Sequence, residues 1–339
     1  MKKIIVIGLL LISVMTYSQI NVGRSRSPIN LYVVGHKKEV FEKVKNTKTV
    51  FVLPESLDVE KLQTLIKDIW TVNEIIFIDR ETFENQQEDY INADFSIIRH
   101  VDSGYSKQKT GGFMGPGTRT VGAFIVFKFM MISDFKKIRK DKKGRLKYDA
   151  TNIAEIFFTP NIRLRQDFNY SEGGKMKIGS FDKINEKYGE EPGFYNFDLG
   201  YIKNYFQELN RKLNNEEVLK IEDGIVNKEK LKELKDQVLY APEWVLKKYN
   251  ALAATWGKTR TADKLFAKYN YKYEIISNES LNDKILAGED FYYLMHTQFN
   301  QKKIISVINS VSGEIIYLEE GGSYNLKDSD LKSIAKLIK

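Results

Sequence analysis

Three short blocks recur in the same order in the two halves of this 339-residue chain, and no other feature limits the fold as strongly. Lys48 to Glu55 (KTVFVLPE) is answered by Asp236 to Glu243 (DQVLYAPE), and Ile75 to Phe83 (IIFIDRETF) by Tyr273 to Leu281 (YEIISNESL). Ala93 to His100 (ADFSIIRH) is answered by Glu289 to His296 (EDFYYLMH). Matching Pro54 to Pro242, Ile78 to Ile276 and Phe95 to Phe291 gives offsets of 188, 198 and 196 residues, with an insertion in the second copy around Leu252 to Lys264. A shared order at nearly constant spacing predicts a tandem duplication, and the length suits two domains of about 100 to 150 residues.

Each copy reads as strand, helix, strand, helix and then an antiparallel meander, which predicts an α/β fold with a mixed sheet in each of two tandem domains. In the first, Ser56 and Asp58 precede a helix whose Val59, Leu62, Leu65, Ile66 and Ile69 recur at helical spacing. Strands over Phe95 to Val101 and Gly122 to Ile132 pair as a long hairpin around a Lys107 to Thr120 loop, and a third strand carries Ile153, Ile156 and Phe158. In the second, Lys302 to Tyr317 (KKIISVINSVSGEIIY) is a hairpin turning at Ser312 and Gly313. The expected boundaries are a signal peptide over 1–18, an N-terminal lead over 19–36 that is mobile over Gln19 to Asn30 with a first strand at Ile29 to Val34, and a first domain over 37–160. A linker over 161–227 carries a bridging helix at 197–213, and a second domain covers 228–339.

Lys2 and Lys3 precede an apolar run from Ile4 to Met15, and Thr16 and Ser18 place small residues for cleavage before Gln19. That is the pattern of a secretory signal peptide, too short to span a bilayer as an anchor. The TYSQ ending resembles signal peptides of Bacteroidota, which implies a periplasmic or extracellular address. The chain has no cysteine, which removes disulfides, thiolate metal sites, a cysteine nucleophile and a lipid-anchoring cysteine. Beyond residue 18, 51 Lys and Arg face 45 Asp and Glu, a net +6 in place of the full chain's +8. The basic residues are scattered among acids, so nucleic acid is not the expected partner. An exported basic protein meets protein partners, acidic glycans or anionic lipid.

The FVLPE strand-and-turn, the following helix, IIFIDRETF, the ADFSII strand and the closing VINSVSGEIIY hairpin resemble the α/β domain shared by the amino-terminal part of TolB and the curli-secretion lipoprotein CsgG. The resemblance covers about 110 residues per copy and implies a fold and a non-catalytic envelope adaptor. It departs from that family in lacking the lipid-anchoring cysteine, the pore-forming segments and a β-propeller.

The leading binding candidate is GYSKQKTGGFMGPGTRT, Gly104 to Thr120, where Gly111 and Gly112 can present backbone N–H groups to an anion beside Lys107, Lys109 and Arg119. The ordinary alternative is a flexible hairpin tip, and without GxxxxGK[ST] it is no nucleotide P-loop. His100 and His296 hold matched positions and could share a metal across the two copies, although no third ligand sits at local spacing; a duplicated structural contact is the simpler role. Asp79 lies at a strand's carboxyl end, where α/β folds place active sites, and Trp256 in the insertion could stack on a sugar. No GxSxG or HExxH supports a catalytic assignment, no cofactor motif is present, and an enzyme, a hydrolase first, is the alternative class.

Overall fold

The computed structural model describes residues 20–26, 33–35, 38–54, 57–109, 117–142, 144, 146–159, 161, 193–219, 224–250, 255–256, 258–299 and 302–339. Its first half runs β1 (Ile20–Val22), a two-stranded ribbon of β2 (Arg24–Arg26) and β3 (Val33–Gly35), α1 (Lys38–Lys45), β4 (Lys48–Val52), α2 (Val59–Ile69) and β5 (Ile75–Ile78). Then come α3 (Arg80–Asn85), α4 (Gln87–Tyr90), β6 (Phe95–Lys109), β7 (Gly117–Lys140) and β8 (Leu146–Phe158). After α5 (Leu199–Asn214), the second half runs β9 (Ile225–Val226), α6 (Lys228–Lys232), β10 (Leu239–Pro242), a ribbon of β11 (Tyr249–Asn250) and β12 (Thr255–Trp256), and α7 (Ala262–Phe266). It closes with β13 (Tyr273–Ile276), α8 (Asn278–Leu286), β14 (Tyr292–Phe299), β15 (Lys302–Asn309), β16 (Ile315–Gly321) and α9 (Asp328–Ile338).

The strands form two mixed six-stranded sheets, ordered β5-β4-β6-β7-β8-β1 and β13-β10-β14-β15-β16-β9. In each, the first strand of the parallel part pairs with parallel neighbours on both sides, and a meander then adds antiparallel strands out to an edge supplied from upstream. The two orders match position for position, and the fold is α/β.

Register corrects the sequence reading in two places. Val52 pairs with Ile78 and Pro242 with Ile276, so the first block is offset by 190 residues, not 188. Two residues preserve the inward and outward alternation of a strand, so composition alone did not reveal the slip. Ile20–Val22 is a buried strand against β8, not a mobile lead, and Ile225–Val226, inside the expected linker, is the corresponding edge of the second sheet.

The bridging helix forms as expected, and its packing explains why. Tyr201, Ile202, Tyr205, Phe206, Leu209 and Leu213 are all buried. Phe206 meets Phe51, Trp70 and Phe127 of the first half at ring separations of 5.6, 6.3 and 6.3 Å. On the other side Tyr201 lies 6.0 Å from Tyr293, and Asn204 donates to the Ser310 carbonyl (2.8 Å) and accepts from the Tyr293 hydroxyl (2.9 Å). One buried apolar cluster therefore runs from Ile20 through the helix to Ile338.

Two glycines permit this contact. A Cβ on Gly200 would strike the Asn282 carbonyl of α8, and one on Gly313, held at φ +69° in the β15–β16 turn, would enter the backbone of Asn204.

Candidate functional basic groove

The face of the first sheet turned toward α5 carries Phe51, Ile98, Phe127 and Phe129 and belongs to the shared core. The opposite face carries a separate cluster of Val50, Val52, Ile97, Met130 and Ile132, covered by Phe83 and Ile91. Past this cluster the face turns basic. Arg99 on β6 and Lys128 on β7 form the floor of a cavity of about 510 Å³, and Lys137, Arg139 and Lys147 on the β7–β8 hairpin form its rim. Val101, Met130, Leu146 and Tyr148 supply apolar wall between them. The hairpin reaches this position because its register shifts at Phe129/Met130, Ile132/Asp134 and Asp134/Arg139, and bulges bend a ribbon and re-aim its side chains.

Asp149 is the single carboxylate in this lining, 3.4 Å from Lys137, with both side chains more than half exposed. Lys128 lies 3.6 Å from the buried Glu155, whose carboxyl is pushed up by burial. The Arg99 guanidinium sits 5.8 Å from the centre of the Phe83 ring, and its buried Nε has no hydrogen-bond partner among the described residues. Arg99 also lines a smaller cleft of about 90 Å³ with Val52, Arg80, Phe83, Glu84 and His100, beside the carboxyl end of β4. Guanidinium and ammonium donors around apolar walls suit binding of an anion that has an apolar part. No carboxylate, imidazole and hydroxyl meet there in a nucleophile-and-base arrangement among the described residues.

The residues singled out from sequence lie elsewhere. Lys107 and Arg119 are cross-strand partners, and Lys109 pairs with Gly117, so the described ends of the expected loop continue the hairpin; residues 110–116, with Gly111 and Gly112, fall outside the described residues. Asp79 accepts from the Thr82 amide (2.7 Å) and hydroxyl (2.6 Å) as the N-cap of α3, and these bonds hold its carboxyl below the usual range. Ser277 caps α8 by accepting from the Ser280 amide at the matching site. Trp256 pairs with Tyr249 in the β11–β12 ribbon.

His100 lines the smaller cleft, whereas His296 is fully buried in the second sheet with its ring stacked 5.6 Å from Trp244. No group of three or more His, Cys, Asp and Glu able to hold a metal ion occurs among the described residues.

Arg99, Lys128, Arg139 and Lys147 were not anticipated from the sequence. The available signal was a lysine inside FIVFKFMMI and an arginine inside FSIIRH, each a charge interrupting an otherwise apolar strand. Compared with protein-family models, curated proteins and solved structures, the chain matches none.

Proposed function

We propose that the chain is an exported, non-catalytic binding component of a bacterial envelope, built by tandem duplication, whose recognition surface is the basic groove of the first half and whose partner is anionic. The observation that carries this is the groove's lining: five cations against one carboxylate, held on a bent hairpin whose strands run well past the length of their counterparts β15 and β16 in the second half. The duplication is supported by the matched strand orders and by the paired caps Asp79 and Ser277. Export is supported by Lys2, Lys3 and the apolar run Ile4 to Met15, and no helix among the described residues is long and apolar enough to cross a membrane. The resemblance to the TolB and CsgG domain agrees with an adaptor role by analogy of fold alone.

The test is to pass envelope extract over immobilised protein and elute with salt, comparing wild type with a Lys137→Glu, Arg139→Glu, Lys147→Glu variant. A salt-labile anionic component held by wild type and lost from the variant is the expected result. The same components held equally by both would place recognition outside the groove. Mass spectrometry of the protein from cells should find Gln19, or its cyclised form, at the mature amino terminus.

A further inference from the structure

The two sheets share a strand order, so what fills a given face of one can be compared with the same face of the other. Cross-strand register aligns Arg99, Val101, Lys128 and Met130 with Met295, Thr297, Ser306 and Ile308. All four residues of the second sheet are uncharged and buried, on the face that also carries Tyr293, the hydrogen-bond partner of Asn204 on α5. In the second half α5 covers that face, whereas in the first it packs on the opposite one, through Phe51 and Phe127, and leaves this face uncovered by the helix. At the places where one sheet buries Met295 and Ser306, the other presents an arginine and a lysine to a space large enough for a small molecule.

The charges inside that space are divided. Arg99 and Lys128 lie on the floor, in strands that continue an apolar core, and Arg139 and Lys147 stand exposed at the rim. Val101, Met130, Leu146 and Tyr148 line the same space. A partly buried guanidinium is costly unless an anion meets it, and no carboxylate pairs with Arg99 among the described residues. A volume of about 510 Å³ falls within the range of small-ligand sites, and apolar walls contribute nothing to a bare inorganic ion.

Resting on the anion-binding reading above, we infer that the groove takes an amphiphilic phosphate or sulfate monoester. Its anionic head sits between Arg99 and Lys128, and its apolar body lies along Val101, Met130, Leu146 and Tyr148. The rim cations select for further negative charge near the mouth.

Isothermal titration calorimetry on the protein tests this with four probes: dodecyl phosphate below its micelle threshold, inorganic phosphate, phosphatidic acid vesicles and an oligoglutamate peptide. The expected result is one dodecyl phosphate per chain, with inorganic phosphate weaker by at least about thirtyfold, because only the ester buries apolar surface. Arg99→Gln should weaken dodecyl phosphate by about tenfold or more, the loss of a charge-assisted hydrogen bond. Arg139→Ala with Lys147→Ala, on exposed positions that leave the core intact, should also weaken it, while Lys332→Ala on α9 should not.

Vesicle binding lost in the same variants assigns the ester to a membrane lipid, and binding of the free ester alone assigns it to a soluble ligand; both uphold the inference. Equal affinity for inorganic phosphate overturns the amphiphile while leaving anion binding in place. Groove-dependent binding of oligoglutamate without the ester overturns it in favour of an acidic protein surface. If no probe binds in a groove-dependent way, the anion-binding reading falls as well.

Discussion

Asp198 has an ordinary aspartate's chemistry in an unusual place. It precedes α5, and burial pushes its carboxyl up to about 6, helped by the nearby Asp283 and Glu279 and opposed by the Asn278 side-chain amide, which donates to it at 2.5 Å. The folded state thus holds a proton that the unfolded chain releases near pH 4. The associated stability is complete below that value and is lost as pH rises through about 6, a change on the order of 3 kcal/mol. Thermal melts should show wild type losing stability between about pH 4 and 6.5, and Asp198→Asn should flatten that slope and melt higher at pH 7.5. Asp79 is the contrasting acid, because its oxygens are used by Thr82. Asp79→Ala should cost about 1 kcal/mol in urea unfolding, the usual loss of an N-cap, and leave groove binding unchanged. Sequence reading selected Asp79 for its place at a strand end and passed over Asp198, because no spacing rule reports burial.

At the scale of elements, the sequence was legible wherever one face of a strand or helix is apolar. The stripes of α2 and α5 were legible within a residue or two and the alternation of β14 to β16 within about four, since core burial imposes those periods. The lengths of β6, β7 and β8 were underestimated for the same reason. Ser103 to Lys109 and Ser133 to Lys140 carry few apolar residues, yet backbone pairing carries the strands on, and a ladder beyond the core leaves no hydrophobic pattern. The groove depends on that extension, so it was hidden along with it. The contact between the second hairpin and α5 was hidden too, because Asn204 reads as a polar interruption of a helix. Asn204→Ala should cost about 2 to 3 kcal/mol, since it strands the buried Tyr293 hydroxyl and a Ser310 carbonyl; denaturant unfolding measures the difference.

For the whole molecule, the sequence pointed to two domains and a linker, whereas the buried core has no break at the boundary. α5 gives Phe206 to the first sheet and Tyr201 and Asn204 to the second, and Gly200 lets it lie against α8, where its own amide donates to the Asn282 side chain at 2.8 Å. Lys203 adds a bond to the Ile285 carbonyl at 2.9 Å. A helix buried on both sides cannot leave one half without exposing apolar surface to water, so the halves should stabilise each other. Calorimetry of the wild type should therefore show one unfolding transition, with calorimetric and van't Hoff enthalpies in agreement. Gly200→Leu forces a side chain into the Asn282 backbone and should open the α5–α8 contact, lowering the melting temperature and separating a second transition for the carboxyl-terminal half. Two transitions in the wild type would mean that the halves fold as independent units and that α5 belongs to the first alone. A single transition also bears on the groove: a ligand bound to the first sheet would then raise the melting temperature of the whole chain, including the half it never touches.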